Sequence, residues 1–197
     1  MKLGFDVDGV FASFAPAAAR QANAWFGLRI PIIPTRWDWW RDYGMTIEHE
    51  RIFWERVTAD LGWTAALEPE PGAEVALSAI SMLANTGHDI YFITARSSDI
   101  KGVTERWLRR YGYHATPTVL MSRDKAPIAL ALGLDAFLDD HPETCGAVAV
   151  HVPRTYLLSR PQNLATPTPD RVSRIGSVTE FLHEIGVFPG LPVEISP

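Results

Sequence analysis

The chain has a single cysteine, Cys145, so no intrachain disulfide can form, and that scarcity fits a reducing cytoplasm. It has no apolar run near the ~18 residues that a bilayer span requires. Charged and polar residues interrupt its N-terminal apolar positions too early for a signal peptide. These absences lead to the expectation of a cytoplasmic protein with no membrane partner. Excess charge is also scarce: 18 Lys and Arg stand against 23 Asp and Glu, a net −5. A general nucleic-acid binder needs a basic face that releases counterions, so no nucleic-acid partner is expected. A small phosphorylated substrate is not excluded. Internal repeats and low-complexity tracts are absent.

What is present is ordinary in bulk. A content of 47% apolar and 21% charged residues over 197 positions suits one globular domain, or one domain with a small insertion. The first ten residues are not ordinary. Leu3 to Phe5 reads as a short strand that stops at Asp6, with a second carboxylate at Asp8 and a turn at Gly9. Two acids at the carboxyl end of a strand, one alternation apart, fit either a solvated turn or a metal or acid/base site.

Downstream, a helix is expected over Phe14 to Phe26, a second from about Ile47 to Leu61 capped by Thr46, and then alternating elements. Helices are read at Pro71–Asn85, Ile100–Tyr111, Lys125–Leu132 and Ser177–Glu184. Strands are read at Asp89–Ile93, Thr118–Met121, Ala136–Leu138 and Ala147–Val152. Pro161–Pro169 reads as a loop, His141 as a loop residue and the tail from Pro189 as irregular. Strands alternating with helices predict βαβ units: an α/β, Rossmann-like, three-layer parallel sheet. The first strand would be separated from the rest by a small helical cap, residues 15–70, leaving 1–14 and 71–197 as the core. Five of the seven tryptophans lie between Trp37 and Trp63, so this insertion differs in chemistry from the rest.

In a parallel sheet the strand ends share one edge, which would bring together Asp6 and Asp8, Thr94, Arg123 and Lys125, and the pair Asp139 and Asp140. Those residue types suit one task. A phosphate needs hydroxyl and backbone donors, a cation, and a hard metal held by oxygen ligands such as Mg²⁺. An ionised Asp can also be a nucleophile.

The segments FDVDGV, FITAR, SRDK and FLDD resemble the four motifs of the haloacid dehalogenase (HAD) superfamily of phosphatases. Within it, the chain most resembles the cytosolic and mitochondrial 5′(3′)-deoxyribonucleotidases, through Phe14, Trp39-Trp40-Arg41, Trp54-Glu55, Leu67-Glu68-Pro69, Pro71-Gly72 and Arg123-Asp124-Lys125. The resemblance implies a Mg²⁺-dependent enzyme that hydrolyses deoxyribonucleoside monophosphates through an aspartyl-phosphate. Asp6 would be the nucleophile, and Asp8 the general acid and then the general base, with a raised pKa for the first of those jobs. Asp6, the Asp8 carbonyl and the Asp139-Asp140 pair would hold the metal, with Asp140 favoured as the direct ligand. Thr94 and the Ala95 N–H would hold phosphoryl oxygens, and Lys125 would neutralise charge. Phe14, Trp39, Trp40 and Trp54 would form a slot for the nucleobase, unless the tryptophans are the cap's own core. Arg41 would bond the base or pair with Asp42 or Glu48. Arg123 is counted with the substrate-binding residues. Two departures stand out: Ala95 replaces a serine of the subfamily, and Arg96 follows it, as in the TAR or TGR ending of the wider superfamily. The alternatives are a HAD phosphatase for another small phosphate ester and a non-catalytic nucleotide-binding protein. A polynucleotide 3′-phosphatase would need a basic groove, whereas residues 36–63 carry four Arg against six Asp and Glu. Dimers occur among such relatives, so the resemblance allows a homodimer.

Overall fold

A computed structural model describes residues 1–187; the expected irregular tail from Pro189 lies outside them. Six parallel strands form one sheet in the order β3-β2-β1-β4-β5-β6. They are β1 (Lys2–Phe5), β2 (Asp89–Thr94), β3 (Thr118–Met121), β4 (Ala136–Asp139), β5 (Arg154–Leu158) and β6 (Val172–Ile175). The chain winds from β1 out to β3, then crosses back to β4 and continues to β6. The order therefore reverses between β1 and β4, the position where open α/β sheets bind ligands.

Alternation along the strands sorts their side chains into two layers. Phe5, Ile90, Phe92 and Leu138 face one apolar cluster, built with Leu77 and Ile80 of α4 (Ala73–Asn85), Trp107 and Leu108 of α5 (Lys101–Arg110), and Phe181 of α8 (Val178–Glu184). Ile93 and Phe137 face the other, with Ala129 of α6 (Ala126–Leu132) and Val148 of α7 (Pro142–Ala149). Gly4 points to this second side, where any Cβ would meet Leu134 Cδ1 at 2.5 Å. The next residue on that side is Asp6, and Asp139 follows Phe137 there by the same alternation.

Between β1 and α4 the chain forms a helical insert of α1 (Phe14–Phe26), a 3₁₀ turn at Trp39–Tyr43, α2 (Ile47–Ala59) and α3 (Leu61–Ala65). It has an apolar cluster of its own, including Ala18, Ala22, Trp39, Trp40, Phe53 and Val57. The entering and leaving strands of the insert run side by side, with Ser13 N–H donating to Glu68 O (2.9 Å) and Glu70 N–H to Phe11 O (2.7 Å).

Four local readings change. Ala147–Val152, expected as a strand, is instead the last three residues of α7 and the turn after it. His141 caps that helix, its Nδ1 accepting from Thr144 N–H, and Pro142 occupies the first turn, where its missing donor costs nothing. The strand comes later, at β5. His141 is thus a helix cap rather than a plain loop residue. The expected helix from Ile47 to Leu61 breaks at Asp60, whose side chain accepts from Trp63 N–H and starts α3. The sixth strand, Val172–Ile175, was not expected from the sequence at all; it is four residues on a sheet edge of which only Ile175 is buried, leaving little apolar signal.

Candidate active site

The carboxyl ends of β1, β2, β3 and β4 open into a cavity of about 930 Å³. At its floor, Asp6 continues β1, held in register by its N–H donating to Leu138 O (2.9 Å). Lys125 precedes α6 and is buried. Its ammonium donates to Asp6 Oδ1 (2.6 Å) and to Asp139 Oδ2 (2.7 Å). The other Asp139 oxygen accepts from His141 N–H (2.8 Å), so both are engaged by the protein. Asp140 Oδ2 accepts from Gln162 Nε2 (2.8 Å).

Asp6, Asp139 and Asp140 each place a carboxylate oxygen within 4.8 Å of the others. Three buried carboxylates thus face one ammonium, because the nearby Arg96 is spent on Asp8. Burial pushes the Asp6 carboxyl up to about 7, with Asp139 and Asp8 adding to the rise and Lys125 opposing it. Burial, then Asp139 and Asp6, also raise Asp140 well above the usual carboxylate range. Burial disfavours the Lys125 charge, but Asp139 and Asp6 outweigh it and raise its pKa. Buried charge without a partner is costly, and a hard cation on oxygen ligands would remove that cost. The donor set fits such an ion. The oxygens without a described protein donor are on Asp6 and Asp140, which makes these two the better ligand candidates and leaves Asp139 to hold Lys125.

Asp8 lies at the cavity mouth in a bidentate pair with Arg96. Nε donates to Asp8 Oδ2 (2.8 Å) and Nη2 to Oδ1 (2.6 Å), while Nη1 is anchored on Thr104 Oγ1 (3.0 Å). In this geometry both Asp8 oxygens accept, so neither carries a proton toward the cavity. Thr94 is fully buried; its hydroxyl accepts from Arg96 N–H (3.3 Å) and is not part of the cavity wall, whereas Ala95 is. Exposed Arg123 stands on the wall too.

The expected aromatic slot is rearranged. Phe14 and Trp54 line the cavity, but they stack on each other, with ring centroids 5.6 Å apart and planes at 6°. That leaves a wall for a flat ring to lie against, with no gap for one to enter between them. Trp63 meets Phe14 edge-on at 5.5 Å, and Trp37 packs against His141 at 4.6 Å; both line the cavity. Trp39 and Trp40 do not line it. They stack on each other in the core of the insert, Trp39 Nε1 donating to Pro31 O, because this small unit has few other large groups to bury. Arg41 is also away from the cavity, paired with Glu50 (2.7 Å) and Asp38 (3.5 Å). Asp42 and Glu48, the acids expected beside it, pair instead with Arg36 and Arg51.

Sequence reasoning did not assign Trp37, Trp63, Thr64, His141 or Gln162 to the cavity, and noted Arg96 only as a departure. Trp37 and Trp63 carried the signal of the tryptophan-rich stretch. Thr64 and Gln162 carried none.

No protein-family model matches the chain. A Bacillus cereus protein described as a "Putative nucleotidase" is 27% identical over 150 residues, covering 72% of this chain and 77% of that one. Among solved structures, a HAD family hydrolase from Deinococcus radiodurans with bound phosphate and sodium superposes with a TM-score of 0.56 at 16% identity, covering 93% and 94% of the two chains. The magnesium-bound structure of a "putative HAD-hydrolase" from Bacillus subtilis gives 0.57 at 14% identity, covering 93% and 97%. The L-2-haloacid dehalogenase from Xanthobacter autotrophicus gives 0.56 at 11% identity, covering 97% and 99%. The fold is that of the HAD-like hydrolases.

Proposed function

We propose that this chain is a Mg²⁺-dependent phosphomonoesterase of the 5′(3′)-deoxyribonucleotidase type, with residues 15–70 acting as a cap over a core of 1–14 and 71–197. The observation that carries the reading is Asp6, paired with Lys125 at 2.6 Å beside a second carboxylate and below an aromatic wall. The nucleotidase-like B. cereus relative and the phosphate- and magnesium-bound neighbours support it.

In the first step an Asp6 oxygen attacks phosphorus and the ester P–O bond breaks. Asp8, which takes up a proton from solvent once the Arg96 pair loosens on one side, gives that proton to the leaving alcohol oxygen. In the second step Asp8, again an acceptor, takes a proton from water that attacks the aspartyl-phosphate, releasing phosphate and restoring Asp6. Lys125 offsets the charge that builds on the transferring group. Asp6, Asp140 and the Asp8 carbonyl would hold Mg²⁺, which when bound supplies charge neutralisation for the phosphoryl oxygens. Ala95 N–H and Arg123 would face the phosphate and sugar, and Phe14, Trp54 and Trp63 the base.

A dehalogenase, which some neighbours are, also uses displacement chemistry, but halide leaves without a proton. It would give no use to Asp8 as an acid or to a buried excess of carboxylates. The test is phosphate release from deoxyribonucleotides, ribonucleotides and sugar phosphates, with Mg²⁺ and with chelator. Mg²⁺-dependent turnover with deoxynucleotides preferred is expected; no advantage over sugar phosphates would reassign the substrate.

A further inference from the structure

The turn that follows β5, Arg160–Asn163, runs into the stretch Pro161–Pro169 expected to be a loop, yet its side chains reach two distant parts of the site. Asn163 is fully buried. Its Nδ2 donates to Asp140 O (2.7 Å) and Leu158 O (2.8 Å), and its Oδ1 accepts from Arg160 N–H (3.1 Å) and Arg174 Nη1 (2.9 Å). Two carbonyls and two N–H donors leave the amide one orientation. Arg160 donates to Gly9 O and Val10 O, in the loop that leads away from Asp6 and Asp8. Gly9 itself lies on Asp140, where a Cβ would overlap Oδ2. From β6, Arg174 backs the turn by donating to Asn163 O (3.3 Å) and Thr166 O (2.8 Å).

Within this group Gln162 is separable. It is 7% exposed, its described side-chain bond is the one from Nε2 to Asp140 Oδ2 (2.8 Å), and it lines the same cavity. Arg160 and Asn163 bond chiefly backbone groups and so hold the loops in place. Gln162 bonds one oxygen of a carboxylate and so fixes how that carboxylate is turned. A buried carboxylate among others has no reason of its own to keep one rotamer, and like charges nearby favour its swinging away.

We infer that Gln162 is the positioning residue of the metal site: it occupies Asp140 Oδ2 and leaves Oδ1 for a divalent cation shared with Asp6. This rests on the metal reading above. Groups that orient metal ligands are commonly worth ten- to a hundredfold in affinity, so the turn sets how tightly the cation is held. It also gives β6 and the polar loop before it a function that their sequence does not advertise.

The test uses Gln162→Met in the whole chain, which keeps the length of the side chain and removes the donor. Mg²⁺ binding to chelator-stripped protein is measured by titration calorimetry, and melting temperature is measured in chelator. The expected result is a Mg²⁺ Kd raised about tenfold or more, with the melting temperature in chelator little changed. Gln162→Ser gives the same comparison if the Met variant does not fold. A folded variant that binds Mg²⁺ within threefold of the wild type overturns this inference alone. A wild type that shows no Mg²⁺ binding overturns the metal reading and this inference together.

Discussion

Lys125 and Arg96 divide the site's positive charge unequally. Lys125 sits between Asp6 and Asp139, whereas Arg96 takes both oxygens of Asp8 and is itself fixed by Thr104. The planar guanidinium fork is what makes that second pair bidentate. Arg96→Gln is therefore expected to lower kcat about tenfold or more while moving KM less, since it acts through Asp8; steady-state kinetics on a deoxynucleotide separates the two parameters. Thr64 makes a contrasting case. Its hydroxyl is buried on the cavity wall with no hydrogen-bond partner among the described residues. An unpaired buried hydroxyl costs about 1–3 kcal/mol, so Thr64→Val should stabilise the free protein by about 1 kcal/mol in urea unfolding. At this scale the sequence was legible where chemistry is rare in strands: Asp6, Asp8 and the Asp139-Asp140 pair announce themselves by ending apolar runs. Arg96 and Gln162 do not, because their partners are 88 and 22 positions away and nothing local marks a side chain that bonds so far along the chain.

Among the elements, the helical insert shows how one composition serves two purposes. The resemblance implied a base-binding slot of Phe14, Trp39, Trp40 and Trp54 unless the tryptophans were the cap's own core, and the insert spends Trp39 and Trp40 on its own core while Phe14, Trp54 and Trp63 line the wall. Sequence spacing could not divide them, since ring burial and ligand stacking ask for the same residue type. The two groups should separate experimentally. Trp40→Ala is expected to cost about 3–5 kcal/mol of stability, as for other buried tryptophans, without changing preference among substrates. Trp54→Ala, at a partly exposed position, should cost less stability and raise KM for nucleotides more than for small phosphate esters. Denaturant unfolding and a substrate panel check both. The helices and strands with clear punctuation were legible: α1 ends at Gly27 and α6 at Gly133, both in the left-handed conformation. α7 was misread because Ala147–Val150 is apolar enough for a strand, and the His141 cap with Pro142 behind it decides the matter at the other end of the segment.

Across the whole molecule, the parallel sheet brings Asp6, Lys125 and Asp140 to one edge from far apart in the chain, and the turn after β5 ties that edge to the last strand. Such an arrangement concentrates negative charge, and the excess of carboxylates over Lys125 predicts that a divalent cation stabilises the fold by mass action. Adding Mg²⁺ to chelator-stripped protein should raise the melting temperature by several degrees and restore turnover; an unchanged melting temperature over millimolar Mg²⁺ would count against the cation. The fold class could be read from the βαβ rhythm alone. The sixth strand could not, because a four-residue edge strand with a single buried residue has little hydrophobic period to show. No helix among the described residues is long and apolar enough to cross a membrane. The account turns on Asp6 as the atom donor to phosphorus, and the most direct measurement is phosphate release from a deoxyribonucleoside monophosphate by Asp6→Asn in Mg²⁺, with circular dichroism confirming the fold. Turnover reduced by about a thousandfold or more is the predicted result, on the scale of removing an enzyme's covalent nucleophile; a folded variant within tenfold of the wild type would contradict it.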